Sequence, residues 1–157
     1  LLARSHEAWG LEPSASMRKV ALCRHPELAG RIQPGALPDE IPDPEALGGR
    51  FDGILCSAVL QHLPRAALFD AVIAIESLLK PHGHVLVSVP SARPDIGPEH
   101  RDPKGRLFTP ICADELRLLF ERAGFTNLGS WSDDDAAGRP AHRWATQLFE
   151  RAACTTN

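Results

Sequence analysis

Short apolar runs alternate along this chain with segments whose apolar residues return every three or four positions, and that alternation predicts its elements. Ala8-Trp9-Gly10-Leu11-Glu12 reads as a short strand stopped by Pro13. Ser14 is placed to cap a helix that runs to about Cys23 and ends before Pro26. Arg31-Ile32-Gln33 is a minimal strand closed by Pro34-Gly35. Residues 37–49 hold three prolines and a Gly-Gly pair, and are predicted to be mostly loop.

The pattern sharpens from Phe51 onward. Phe51-Asp52-Gly53-Ile54-Leu55-Cys56-Ser57 is an apolar run of strand length. Pro64 suits the first turn of a helix, and Leu68, Val72, Ile75 and Leu79 give that helix one buried face. Lys80-Pro81-His82-Gly83 ends it, and residues 84–89 follow as a strand rich in Val and Leu. Runs apolar on both faces suit central parallel strands with helices on each side. Residues 91–109 are polar, with Pro, Gly and Arg throughout, and read as a long surface excursion. Asp114 and Glu115 favour a helix N-terminus, Leu116, Leu119, Phe120 and Ala123 form its apolar stripe, and Gly124 stops it. Residues 125–131 and 144–149 are two more strands, linked through a solvated Asp133-Asp134-Asp135 and a Gly138-Arg139-Pro140 turn. Strands alternating with helices, then two strands in succession, predict an α/β sheet ending in an antiparallel hairpin.

Composition narrows the class. With 157 residues, 43% hydrophobic and 24% charged, the chain is expected to be one soluble globular domain over residues 1–153, with residues 154–157 as a tail. No apolar run approaches the roughly 20 residues needed to cross a bilayer, so no membrane association is expected. A net charge of −3 argues against a general grip on nucleic acid. Cys23, Cys56, Cys112 and Cys154 are scattered, with no C-x-x-C pair, which suits isolated thiols in a reducing cytoplasm and no metal site. The opening Leu1-Leu2-Ala3-Arg4 is too short for a signal peptide and reads as the tail of a helix.

Four segments in order carry a resemblance to a known family. Gly10-Leu11-Glu12-Pro13-Ser14 with Met17 resembles the second strand and following turn of class I S-adenosylmethionine-dependent methyltransferases. Phe51 to Leu55 with Val59-Leu60-Gln61-His62-Leu63 is similar to that family's fourth strand and the loop after it. Leu78-Leu79-Lys80-Pro81-His82-Gly83-His84-Val85-Leu86-Val87 resembles its next helix, turn and strand. Glu115-Leu116 and Leu118 through Phe125 resemble its last helix and the entry to the terminal hairpin. The resemblance implies a Rossmann-like three-layer α/β sandwich, mostly parallel, with S-adenosylmethionine as cofactor and a small molecule as methyl acceptor.

The resemblance also assigns roles. Glu12, at a strand's C-terminal end, is expected to bind the cofactor ribose, where a solvated turn carboxylate is the plain alternative. Pro13 accompanies it, and Met17 lies over the adenine or else in a helix core. Ala36-Leu37 falls where relatives carry an acid for the adenine amino group, so that contact is expected from backbone or from Asp39. Cys56, Ser57 and Ala58 are expected beside the methionine part of the cofactor. His62 either takes a proton from the methyl acceptor or braces its loop. Arg93, Arg101, Lys104 and Arg106 either bind an anionic small molecule or sit in a solvated loop.

One departure stands out. The family's first strand and its glycine-rich loop have no counterpart here, which implies an N-terminally truncated domain with the missing loop just upstream of Leu1. Two other functions compete with methyl transfer: a non-catalytic methyltransferase-like remnant or binding module, and an NAD(P)-dependent oxidoreductase, which the terminal hairpin argues against.

Overall fold

The computed structural model describes residues 6–153, so the expected helix tail at residues 1–5, Cys154 and the rest of the tail lie outside the described residues. The chain divides into two compact units, Leu1–Gly49 and Arg50–Asn157.

In the first unit, β1 (Gly10–Leu11) pairs in parallel with β2 (Ile32–Gln33), Gly10 opposite Ile32 and Leu11 opposite Gln33. Helix α1 (Ala15–Arg24) begins where the sequence places its cap: Ser14 is extended, and its hydroxyl accepts from the Met17 amide at 3.3 Å. None of the residues of α1 is buried. Gly35 follows β2 so closely that a Cβ there would lie 2.9 Å from the Glu40 carbonyl oxygen and 3.3 Å from a methyl of Leu11. Only glycine admits that approach.

The second unit holds a four-stranded sheet in the order β3-β4-β6-β5. Strand β3 (Phe51–Ser57) is parallel to β4 (Leu79–Ala92), while β6 (Arg143–Arg151) is antiparallel to both β4 and β5 (Phe125–Asp134). The expected hairpin is present, with residues 146–149 in strand. Helix α2 (Leu68–Leu78) enters through a short turn at Arg65–Ala67 and buries Leu68, Val72 and Ile75. Leu79, expected on the same helix face, instead starts β4 opposite Phe51, because Pro81 forbids a further helical turn. The turn over Lys80-Pro81-His82-Gly83 survives as a bulge within β4, since Gly53 next pairs with His84.

Helices α2 and α3 (Ala113–Arg122) cover one face of this sheet. On it Phe120 stacks on Phe149 at 4.4 Å between ring centroids, and Phe125 meets Phe120 edge-on at 5.2 Å. Val85, Val87 and Val89 are fully buried on the same face. Burying each such side chain contributes about 1.5–3 kcal/mol. Arg151, also buried, pairs with Glu76 of α2 and donates to the Leu79 carbonyl at 2.5 Å. The opposite face differs from expectation. Leu55, Leu86 and Leu148 align across it, neither helix covers them, and Leu55 is 58% exposed. Among the described residues β3 hydrogen-bonds to a neighbouring strand on its β4 side only. The sequence predicts helices on both faces of these strands; this unit supplies them to one.

Candidate functional site

The residues with expected roles fall into two groups, one in each unit. In the first unit, the parallel pairing sends the ends of β1 and β2 out at the same edge, and the Glu12 amide donates to the Gln33 carbonyl at 3.1 Å. Glu12 then turns back. Its Oε1 accepts from the Ser14 amide at 2.8 Å, so the carboxylate is held at the strand end while Oε2 has no protein partner among the described residues. Arg18 donates to the carbonyls of Glu12 and Pro13 at 2.6 and 2.8 Å, fixing the backbone of that turn and not the carboxylate. Met17 stands in the first turn of α1 and is 56% exposed, which removes the helix-core alternative for it.

Ala36 and Glu40 exchange both backbone hydrogen bonds, at 3.0 and 2.9 Å. The Ala36 amide and carbonyl are therefore engaged, and Leu37 and the exposed Asp39 are the groups left to meet a ligand.

In the second unit, Cys56, Ser57 and Ala58 close β3. The Cys56 side chain faces the helix-covered side, where burial pushes its thiol up to about 12, so it stays protonated and inert. Ser57 points to the other face and shares a 2.7 Å hydrogen bond with the Ser88 hydroxyl. Ala58 adopts φ 59, in the left-handed region, and its amide is pinned to the Ser88 carbonyl at 2.9 Å. Backbone held in that region costs of order 1–3 kcal/mol and concentrates at functional sites. Ser88, midway in the Val87-Ser88-Val89 run, is a residue the apolar pattern hides.

His62 ends the short turn Leu60–His62. Its Nδ1 lies 2.8 Å from the Leu107 carbonyl oxygen, and its ring meets the Phe108 ring edge-on at 4.6 Å. Residues 107–110 thus run along the loop that holds His62, although the sequence reads them as the end of a surface excursion. That excursion is largely engaged with itself. Arg93 forms a two-pronged pair with Asp95 at 2.7 and 2.6 Å, Arg106 pairs with the buried Asp102 at 2.6 Å, and Arg101 donates to the Gly105 carbonyl. Hydrogen bonding from Arg93 holds the Asp95 carboxyl well below the usual range.

Gln61 is only 2% exposed, and its Oε1 has no hydrogen-bond partner among the described residues. A cleft of about 350 Å³ lined by Arg65, Glu99, His100, Leu107, Thr109 and Pro110 borders this region. A second hollow of about 310 Å³ lies at the hairpin tip, around Asp135 and His142, away from every residue with an expected role. The tip also corrects one expectation: Asp135 is buried, not solvated, and accepts from Arg139 at 2.6 Å and from the Trp144 indole at 2.9 Å. No group of three or more potential metal ligands occurs among the described residues, and no helix among them is long and apolar enough to cross a membrane.

In the second unit, a parallel strand pair followed by a terminal antiparallel hairpin gives the mixed sheet of a Rossmann-like α/β domain. The chain belongs to the methyltransferase domain family, whose sequence profile matches residues 1–129. Its fold is the Rossmann-like α/β fold of that family, and the family's cofactor is S-adenosylmethionine. The chain is 31% identical over 98 residues to the ubiquinone biosynthesis O-methyltransferase of Pseudomonas paraeruginosa, covering 57% of this chain and 38% of that one. A 1,6-didemethyltoxoflavin-N1-methyltransferase from Burkholderia thailandensis, solved with 1,6-didemethyltoxoflavin and S-adenosylhomocysteine, matches 97% of the chain and 64% of its own length. The TM-score is 0.70 and the identity 21%. An S-adenosylmethionine-dependent methyltransferase from Clostridium acetobutylicum matches 97% of the chain and 78% of its own, with TM-score 0.70 and 12% identity. The chain therefore spans less than two thirds of the first two of these relatives.

Proposed function

We propose that this chain carries the ribose-binding and acceptor-side residues of a methyltransferase acting on a small molecule. The observation that carries the proposal is Glu12, a carboxylate fixed by the Ser14 amide at the end of β1 with one oxygen unpartnered among the described residues. Such an oxygen accepts hydrogen bonds from vicinal hydroxyls such as those of a ribose, and open α/β sheets bind ligands outside these strand ends. Met17 offers an exposed thioether for a flat ring, and Leu37 and Asp39 offer an amide and a carboxylate for its edge. On the other unit, Ser57 and the Ala58 turn present polar groups at the end of β3. The groups of the first unit suit an adenosine, and those of the second, taken by themselves, suit an amino acid moiety.

When bound, S-adenosylmethionine supplies an electrophilic methyl group on a sulfonium. The chain's own part is to orient the acceptor and to take up its proton. His62 serves as that base, and the bordering cleft receives the acceptor. The names of the relatives include both O- and N-methyltransferases of small molecules, which supports this acceptor class without choosing the attacked atom.

The test is Glu12→Ala in a form of the protein that binds the cofactor. Losing hydrogen bonds to a charged group, about 1.5–3 kcal/mol each, should weaken cofactor affinity at least roughly tenfold by calorimetry. Unchanged affinity would remove Glu12 from the site. A second reading, a methyltransferase-like binding module without turnover, has one observation in its favour, the β3 edge with a strand partner on one side only. On that reading the protein binds a ligand but transfers no methyl group, and a turnover assay on the form that binds the cofactor separates the two.

A further inference from the structure

We infer that residues 107–110 form a positioning strap for His62, holding the imidazole in the Nδ1–H tautomer so that Nε2 carries the lone pair. The inference rests on the reading of His62 as the base.

A carbonyl oxygen only accepts. The ring nitrogen 2.8 Å from the Leu107 carbonyl must therefore carry the proton, and in a neutral imidazole the other nitrogen is then unprotonated. In water a histidine favours the opposite tautomer, with the proton on Nε2. The strap reverses that preference, and the nitrogen it frees is the one at the outer end of the side chain.

The strap is itself held at several points. The Thr109 amide donates to the Gln61 carbonyl at 2.7 Å, and the Thr109 hydroxyl donates to the Leu63 carbonyl at 2.5 Å. Arg65 donates to the Pro110 carbonyl at 3.0 Å. The backbone on both sides of His62 is thereby tied to the segment that bonds its ring. Phe108 is the wedge. Its ring is buried, meets His62 edge-on, and lies under the Arg93 guanidinium at 4.4 Å from the ring centroid. Arg93 is in turn fixed by Asp95, whose Oδ1 lies 3.2 Å from His142 Nε2 on the far side of the hairpin tip. Rotation of the imidazole away from Leu107 would have to displace Phe108 from under a clamped arginine. The polar excursion is thus bound to the candidate base by bonds that a free surface loop would not make.

The experiment reads the tautomer directly, on the chain as it exists. Long-range proton–nitrogen correlation spectra of the histidine rings, with His62→Gln to assign the signals, should show His62 protonated at Nδ1 and bare at Nε2 when neutral. Thr109→Val keeps the side-chain volume and removes the strap's hydroxyl bond, and Phe108→Leu keeps an apolar filling and removes the ring edge. Each should erode the tautomer bias by roughly fivefold, the scale of one net hydrogen bond, while amide exchange in β4 and β6 stays unchanged. An Nε2–H tautomer in the unsubstituted chain, or a bias untouched by both variants, overturns the strap. The base reading fails separately: in a catalytically competent form, His62→Gln leaving turnover intact would dismiss the base, whereas a fixed Nδ1–H tautomer would still establish the strap.

Discussion

Within the unit Arg50–Asn157, the helix-covered side of the sheet and the loops beyond its strand ends are built on opposite terms. Under α2 and α3, Phe120, Phe125 and Phe149 pack ring on ring, and even the polar residues are satisfied. Gln147 donates to the Ala113 carbonyl at 2.7 Å, and Arg151 is paired with Glu76. At the strand ends, Ala58 sits in a left-handed conformation, Gln61 hides an unpaired oxygen, and an imidazole is held by a carbonyl rather than by solvent. One side is organised for stability. The other tolerates strain and unmet hydrogen-bonding capacity, as sites that await a ligand do.

The largest effect should come from the packed side. Phe120→Ala removes the ring between Phe125 and Phe149 and should cost about 3–5 kcal/mol, seen as a large fall in the denaturant midpoint. A loss below about 1 kcal/mol would mean the aromatic stack does not anchor this side, and the comparison would fail at its base.

Two glutamines make the contrast sharper, since both are 2% exposed. Gln147→Met removes a buried amide that donates to the Ala113 carbonyl and accepts from Asn127, and should destabilise by about 1–3 kcal/mol. Gln61→Met removes an oxygen that has no partner among the described residues, and should stabilise the chain by about 1 kcal/mol. Chemical denaturation of the two variants side by side decides it. Equal signs would show that Gln61 is satisfied in solution.

Much of this was legible in the sequence, and the reasons differ by region. The Ser14 cap, the apolar spacing of Leu68, Val72 and Ile75, and the hairpin around Gly138 are local signals, readable without knowing the partners. The face of Leu55, Leu86 and Leu148, which neither α2 nor α3 covers, was not, because an apolar strand residue looks the same whether or not a helix covers it. The strap was hidden for a related reason: its bonds join residues 45 and 46 apart, and its chain is as polar as a free loop. Asp135 was misread as solvated because its burial depends on Arg139 and Trp144 folding back over it. On the candidate site, Glu12 and His62 were visible through the family pattern, while Ser88, Phe108 and Thr109 had no pattern to announce them.

A pair of alanines tests the strain more gently. Ala71, fully buried inside α2, should lose about 1 kcal/mol on substitution by glycine, the usual helix penalty. At Ala58 the same change relieves a left-handed backbone, which offsets glycine's entropic cost, so Ala58→Gly should fall within about 0.5 kcal/mol of neutral. Equal losses at the two positions would show that Ala58 is not strained.

At the hairpin tip, pH separates charge from packing. Hydrogen bonds from Arg139, then from the Trp144 indole, hold the Asp135 carboxyl well below the usual carboxylate range. A carboxyl whose native pKa is depressed stabilises the fold fully above its unfolded value of about 3.9, and that contribution is lost as pH falls through the lower native value. Asp135→Asn has no such charge. The variant should therefore melt below the unsubstituted chain by a constant margin above about pH 5, and the margin should shrink as the pH drops below about 4. Because the tip between β5 and β6 can open locally, the clearest reading is amide exchange at residues 135–142, not the global transition. Arg139→Gln should reproduce the variant's behaviour above pH 5, since either substitution leaves the other partner alone. A margin that persists unchanged in acid would assign the effect to the shape of the loop and not to the charge on Asp135.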